Sequence, residues 1–359
     1  MKLFLRNQLC IPVSGYNRAM IYDLGRNDYH LISNEHYQIL NTDGIINFDG
    51  ISDEIERNEL IDFLLELEII FEVASPQGAK RFPKISRDLN DLFQLTHAVI
   101  HANISPIFFD FIKNNNLQNL SIIAHEINHK LLKLMASIAH LEVDGIYLYI
   151  ENFNAEKLEE YYLELSQYYA LFSVNFFGSK QSDTVLRDNV YYNFFTEKFA
   201  NYQQKLTVDK LSVNQALFLE AYNKHSYYHG KIYIDQSGNI KNGLNNVQQF
   251  GNINAMNYEA FQEIIHSQLF LALGNINKNE TLVCQDCEFR YMCIDARVPQ
   301  KGNGLWYHLQ ECQYNPYVSK WQNEEDYIDL AAAGVFVSAT GRVIDKAQLN
   351  RKFNQLWSE

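Results

Sequence analysis

The chain has 359 residues, 47% hydrophobic and 14% aromatic, enough apolar surface to bury the cores of two or three ordinary domains and too much for a disordered chain. Thirty lysines and arginines against 43 aspartates and glutamates leave a net charge of −13, a field that repels nucleic acid and anionic membranes, so neither is expected as a partner. No apolar run approaches the roughly 18 residues of a membrane span, and the N-terminal MKLFLRNQLCIPVSG meets polar residues too early for a signal-peptide core; a cytoplasmic protein is expected.

The first 74 residues alternate like a small β-then-α module. Cys10–Val13, Arg18–Tyr22 and Tyr29–Ile32 read as short strands separated by the turn formers Ser14-Gly15 and Gly25-Arg26-Asn27. Ser33 is placed to cap a helix through Leu40, and Ser52 to cap a second in which Ile55, Leu60, Phe63, Leu64 and Leu67 recur at helical spacing. Ile69–Val73 then returns to a β-type run. The Pro- and Gly-containing stretch from Ala74 to Pro83 marks a linker and a domain boundary near residue 80.

From residue 92 to 177 the hydrophobic period switches repeatedly. Leu95–Ile100, Leu120–Ala124, Gly145–Ile150 and Leu171–Phe176 read as strands, alternating with helices over Pro106–Lys113, Lys130–Ala139 and Ala155–Tyr168. About four β-α units imply a parallel sheet with right-handed crossovers, half a barrel or a shortened open one. Residues 183–224 show one further strand, Val190–Phe195, and a connecting helical stretch. Lys231–Ile234 and Asn239–Lys241, joined by Asp235-Gln236-Ser237-Gly238, read as a hairpin, and Asn257–Leu273 as an amphipathic helix leading to the cysteines. In the tail, Leu349, Phe353 and Leu356 recur at helical spacing behind Asp345, a helix cap.

Four of the five cysteines crowd together as Cys284-x2-Cys287-x5-Cys293 with Cys312 further on, while Cys10 stands alone. An odd, clustered set argues for a local metal site rather than a disulfide framework. Four thiolates suit one tetrahedral zinc or one four-iron cluster, and the spacing does not choose between them. A rival motif, His125-Glu126-Ile127-Asn128-His129, matches H-E-x-x-H, in which two histidines one helical turn apart bind zinc and the glutamate activates water. Its lead-in Leu120–Ala124 is β-like, Lys130 adds a cation, and no third ligand follows on a helix, with Glu142 and Glu151 at strand ends. Loop histidines are expected there, and a zinc hydrolase is the remotest alternative.

The stretch from Cys284 to Arg297 (CQDCEFRYMCIDAR) and Cys312-Gln-Tyr-Asn-Pro-Tyr-Val-Ser-Lys-Trp321 resembles the SPASM domain that follows radical S-adenosylmethionine (SAM) cores in peptide-modifying enzymes. It is similar in particular to the SPASM-domain peptide maturases of grasp-with-spasm systems, which accompany an ATP-grasp ligase and a short precursor peptide. The hairpin Lys231–Asn242 and Phe250–Ile253 fit the same pattern, so the tight resemblance covers residues 225–328. It implies one auxiliary-type 4Fe-4S cluster on Cys284, Cys287, Cys293 and Cys312. A second cluster of the family needs a cysteine where this chain has Arg297 and others near the hairpin, which offers Asn242 and His229 instead.

A radical SAM enzyme also needs Cys-x3-Cys-x2-Cys after the first barrel strand, because three thiolates leave one iron open to SAM. Here that strand runs into His101-Ala-Asn-Ile-Ser-Pro106, and no cysteine lies between Cys10 and Cys284. The resemblance therefore implies a pseudo-radical-SAM protein, with His97 and His101 as ordinary strand-end histidines. The N-terminal module resembles PqqD-like elements that bind leader peptides as an added strand.

The expected fold is α/β: residues 1–80 a winged-helix-like, PqqD-like peptide-recognition module, 85–215 a degenerate partial (β/α) radical-SAM-type barrel, 216–330 a SPASM iron-sulfur domain, and 331–359 a tail with a helix. The expected function is maturation of a ribosomally synthesised peptide as a non-catalytic partner of an ATP-grasp ligase, with one 4Fe-4S cluster (zinc as the alternative) and no SAM cleavage. The alternative within this fold is a peptide-modifying redox enzyme that uses the cluster.

Overall fold

The computed structural model describes residues 2–357 apart from residues 83, 91, 114, 116, 140, 303, 339 and 340; Pro83 of the expected linker lies outside the described residues. At the N-terminus, β1 (Leu3–Arg6), β2 (Cys10–Ser14), β3 (Ala19–Asp23) and β4 (Asp28–Ile32) precede helices Asn34–Leu40 and Glu54–Glu66 and strand β5 (Ile70–Val73). Strands β2, β3 and β4 form an antiparallel sheet in that order, and β1, which the sequence pattern did not reveal, pairs antiparallel with β5. Ser33 caps the first helix by accepting from the His36 amide. The second helix is capped by Asp53 instead of Ser52: its carboxylate accepts from the Ile55 and Glu56 amides, donors two and three residues on.

Strand β3 is buried along its whole length because both of its faces are covered. Cys10, Ala19 and Ile21 pack on Leu40, Leu60 and Leu64 of the module's own helices. The opposite face, with Ile11, Val13, Met20 and Tyr22, packs on Phe289, Tyr291, Met292 and Tyr314. Alternation that would ordinarily leave one solvated face is apolar on both, because the second face is a contact surface for the cysteine-bearing segment.

The central sheet has nine strands. Strands β6 (His97–His101), β7 (Asn119–Ala124), β8 (Gly145–Ile150), β9 (Leu171–Phe177) and β11 (Val190–Phe195) are parallel neighbours in that order, and β10 (Asp183–Arg187) is an antiparallel edge beyond β11. The link from β9 to β11 thus runs through a strand and not a helix. At the other side β12 (Lys231–Ile234) lies parallel to β6, followed by antiparallel β13 (Asn239–Lys241) and β14 (Gly251–Asn252). The hairpin, expected within the 216–330 unit, therefore continues the sheet of the β-α region and brings the number of adjacent parallel strands to six.

One sheet face, carrying Ala98, Ile100, Leu120, Ile122, Leu148 and Phe176, is covered by helices Ile107–Ile112, His129–Ile138, Leu158–Leu165 and Tyr258–His266. The expected long helix over 257–273 is broken at Ser267, which caps a new turn by accepting from the Phe270 amide. The other face is mixed: Val99, Ile123, Tyr149, Phe177 and Tyr233 form an apolar cluster with Phe199, and beside it Asn193 Nδ2 donates to Asn175 Oδ1 at 3.0 Å, and Asn175 Nδ2 to Ser173 Oγ at 3.2 Å. Among the described residues, no helix is long and apolar enough to cross a membrane.

Two histidines shielded from water, His97 partly and His225 fully buried, should make this fold acid-sensitive. Burial, then the positive charge of Lys231, pushes His97 down to about 4, and burial, then Lys278, pushes His225 down to about 3. Each takes up its proton in the unfolded chain near pH 6.5 but in the folded chain only well below that, so stability is complete above pH ~6.5 and falls as pH is lowered. Urea midpoints should drop between pH 7 and 5, by up to about 1.4 kcal/mol per pH unit for each histidine; His97→Gln should flatten the dependence, and an unchanged slope would remove His97 from the account.

Candidate metal centre

The cysteine segment has little regular structure and is shaped by successive turns. Val283 sits at φ +72°, a conformation that a β-branched residue adopts only under strain, and it directly precedes the turn Cys284–Asp286. The Cys287 amide donates to the Cys284 carbonyl at 3.1 Å and the Arg290 amide to the Cys287 carbonyl at 3.3 Å, so two turns carry the chain from the first cysteine toward the third. Cys312 arrives just before the short ladder of Tyr314–Asn315 with Lys320–Trp321. The Tyr314 amide donates to Cys312 Sγ at 3.4 Å, the kind of outer contact that stabilises a thiolate ligand.

All four cysteines line one cavity with about 40 Å³ of open space, where a single water needs roughly 10–15 Å³. Cys10 lies apart, buried in the N-terminal core. Burial pushes the Cys284 thiol up to about 12, and raises Cys287 and Cys293 as well, so a metal entering here must displace protons. Cations surround the cavity: Lys278, whose ammonium donates to the Cys293 carbonyl, Arg297 and Arg342. The His308 Nδ1 and Arg342 Nη1 atoms are buried with no hydrogen-bond partner among the described residues. A donor set of four thiols ringed by Lys278, Arg297 and Arg342 suits a group that is anionic once ligated.

Arg297 is committed elsewhere. It grips both oxygens of Asp295, at 2.9 and 2.6 Å; burial alone would raise that carboxyl, but Arg297 and His308 hold it well below the usual carboxylate range. Among the described residues, one trio of candidate ligand atoms lies within 4.8 Å of one another: Cys284, Asp295 and His308. Asp295 is already satisfied by Arg297. No three cysteine sulfurs come that close.

The N-terminal module is fastened to this segment. Arg18 Nε pairs with Glu288 Oε1 at 2.6 Å, and the Tyr314 hydroxyl donates to the same oxygen at 2.5 Å. The Tyr22 hydroxyl donates to the Glu288 carbonyl, and the Tyr16 amide to the Asp286 carbonyl at 2.7 Å. Gly15 leaves no room for a side chain: a Cβ there would stand 2.5 Å from the Arg18 carbonyl and 3.0 Å from the Glu288 carboxylate.

The other candidate residues do not assemble a centre. His97 and His101 stand at opposite ends of β6, about 13 Å apart at the strand rise, and cannot share an ion. His97 is held by Thr96 and Asn119 at 2.9 and 2.8 Å, and His101 Nε2 by the Tyr233 hydroxyl at 2.8 Å. Asn242 donates to the Phe270 carbonyl, and His229 meets Glu220 at 3.0 Å. The H-E-x-x-H residues straddle a strand-to-helix turn: β7 ends at Ala124, Asn128 caps, and the helix begins at His129. His125 and His129 are both exposed and not one helical turn apart. His125→Ala and Glu126→Gln should therefore leave stability within about 0.5 kcal/mol and bound metal unchanged by elemental analysis; loss of metal would revive the zinc reading.

Sequence reasoning passed over Lys278, Glu288, Asp295, His308 and Arg342. The available signal was their density: charged residues interleaved with apolar ones beside four cysteines, in a segment too short to solvate them all.

No family model matches the chain, and no curated protein matches it. Among solved structures it is similar to Streptococcus suis SuiB, at 10% sequence identity over 82% of this chain and 95% of that one, with a TM-score of 0.34. The structure of SuiB bound to precursor peptide SuiA matches at 10% identity over 83% and 96%, TM-score 0.35, and that of SuiB bound to S-adenosylmethionine at 10% over 82% and 95%, TM-score 0.34.

Proposed function

We propose that this protein is an accessory maturation factor for a ribosomally synthesised, post-translationally modified peptide, working beside an ATP-grasp ligase and cleaving no SAM. Residues 1–80 bind the precursor's leader, 85–215 form a scaffold of partial radical-SAM-barrel type, and 216–330 hold one 4Fe-4S cluster on Cys284, Cys287, Cys293 and Cys312. The observation behind this reading is the convergence of four cysteines on one buried, cation-ringed cavity, while the carboxyl end of β6 carries His101 bonded to Tyr233 and no thiol. When bound, that cluster would supply a redox-capable, fully thiolate-ligated centre with no open iron.

Leader recognition falls to β4, the outer strand of the N-terminal sheet, which leaves Asp28 and Leu31 exposed; an added strand gains main-chain hydrogen bonds there and side-chain register from the pleat. The test is iron, sulfide and zinc per chain after anaerobic purification, followed by incubation with a candidate precursor, reductant and SAM. About four irons with matching sulfide and no 5′-deoxyadenosine are expected. One zinc without iron would leave peptide binding alone, and any SAM-dependent mass shift of the peptide would overturn the accessory role.

A further inference from the structure

A second cavity, of about 450 Å³, opens between the sheet face that carries Val99, Ile123 and Tyr149, the helix Phe199–Gln204 and the residues Ile294 and Ala296. That volume lies in the range of small-molecule sites. Its walls are aromatic, with Tyr149, Phe199, Tyr202 and Tyr227, and its charged lining residues are Lys205, Lys210 and Lys231. Two of these are engaged: Lys205 pairs with Glu197 at 2.6 Å, and Lys210 donates to the carbonyls of Tyr202 and Lys205. Lys231 differs. Its ammonium lies 3.7 Å from the centroid of the Tyr227 ring, and among the described residues no carboxylate stands within ion-pair distance of it. The nearest acidic influence is Glu220, which is held by His229. An ammonium at the first residue of β12, seated on an aromatic face and without a counter-charge, leaves a positive, apolar-walled chamber awaiting an anion.

We propose that this cavity binds a small organic anion with an aromatic body, an aromatic carboxylate or its like, whose anionic group pairs with the Lys231 ammonium while the ring packs against Tyr149, Tyr202 and Phe199. The inference is independent of the cysteines and of the precursor peptide. Charge also sets what is disfavoured: SAM has an aromatic base and a carboxylate, but its sulfonium and ammonium would bring a net positive charge among three lysines. The groups facing Lys231 are His97 from β6, His225, Tyr227 and His229 from the segment before β12, and Glu220 from helix Gln215–Asn223. Burial lowers Lys231 to about 8 and keeps His97 and His225 neutral at pH 7, so the anion should be released as pH rises through about 8.

The experiment is fluorescence titration of the full-length protein with 1-anilinonaphthalene-8-sulfonate, displaced by indole-3-acetate, inorganic phosphate or SAM. Saturable one-site binding is expected, weakened about tenfold or more by Lys231→Met and kept by Lys231→Arg, as loss of a charged hydrogen bond predicts. Indole-3-acetate should displace the probe and phosphate and SAM should not. Equal binding by Lys231→Met overturns the assignment, displacement by phosphate as effective as by indole-3-acetate overturns the aromatic half, and displacement by SAM alone overturns the anion. If Lys231→Met fails to fold by thermal melting, the pH titration of the unmodified protein decides: affinity that does not fall above pH ~8 sinks the role of Lys231.

Discussion

On the proposed cluster, Cys287→Ser is expected to leave anaerobic purification with almost no iron, to melt roughly 10 °C or more below the parent, and to exchange its β2–β4 amides faster. The first effect follows from removing one of four thiolates. The second follows because a structural metal's binding free energy is folding free energy in a segment with little regular structure of its own: from residue 275 to 330 the chain has isolated turns and two-residue ladders, and it includes strained Val283. A loss of several kcal/mol converts to about 2–4 °C per kcal/mol in a chain of this size or somewhat less. The third is specific to this architecture. The apolar face of β2 and β3 has as its partner Phe289, Tyr291, Met292 and Tyr314, all within two turns of a cysteine, so disorder in the loop should uncover the N-terminal sheet. Hydrogen exchange read by mass spectrometry checks this; faster exchange confined to residues 284–312 would show that the module stands without the loop.

Arg18→Met is the second large effect, expected to cost about 3–5 kcal/mol in urea unfolding. Glu288 is fully buried, and its Oε2 already has no hydrogen-bond partner among the described residues; without Arg18 only the Tyr314 hydroxyl faces the carboxylate. Arg18 is 29% exposed, so the reverse variant, Glu288→Gln, leaves a guanidinium that water can reach and should cost less. The pair exchanged together, Arg18→Met with Glu288→Met, should recover much of the loss, since apolar residues of similar size often replace buried ion pairs without penalty. Additive single effects in that cycle would show that the two side chains do not sense each other. Because this pair ties the start of β3 to the residue after Cys287, Arg18→Met should also speed release to a chelator of whatever metal the cysteines hold.

Much of the local structure was legible in the residue order. Ser33 and Asp345 behave as caps, the period-two runs at 145–150, 190–195 and 231–234 are strands with those bounds, and the density of Cys284, Cys287, Cys293 and Cys312 marked the segment that forms the cavity. These signals are local, because capping, turn chemistry and alternation depend on neighbours within a few positions. β1 escaped notice because four residues of mixed character have no period to read, and its partner β5 lies over 60 positions away.

The sequence by itself determined most element types, the clustered thiols and the lack of cysteines between Cys10 and Cys284. Only the tertiary structure decided that β12 joins β6 across about 130 positions, that the second apolar face of β2 and β3 is spent on the cysteine segment, and that Lys231 faces an aromatic chamber. Periodicity states which residues share a face but not what covers that face, and a charge becomes a binding element only when distant segments exclude water from it and leave it without a partner.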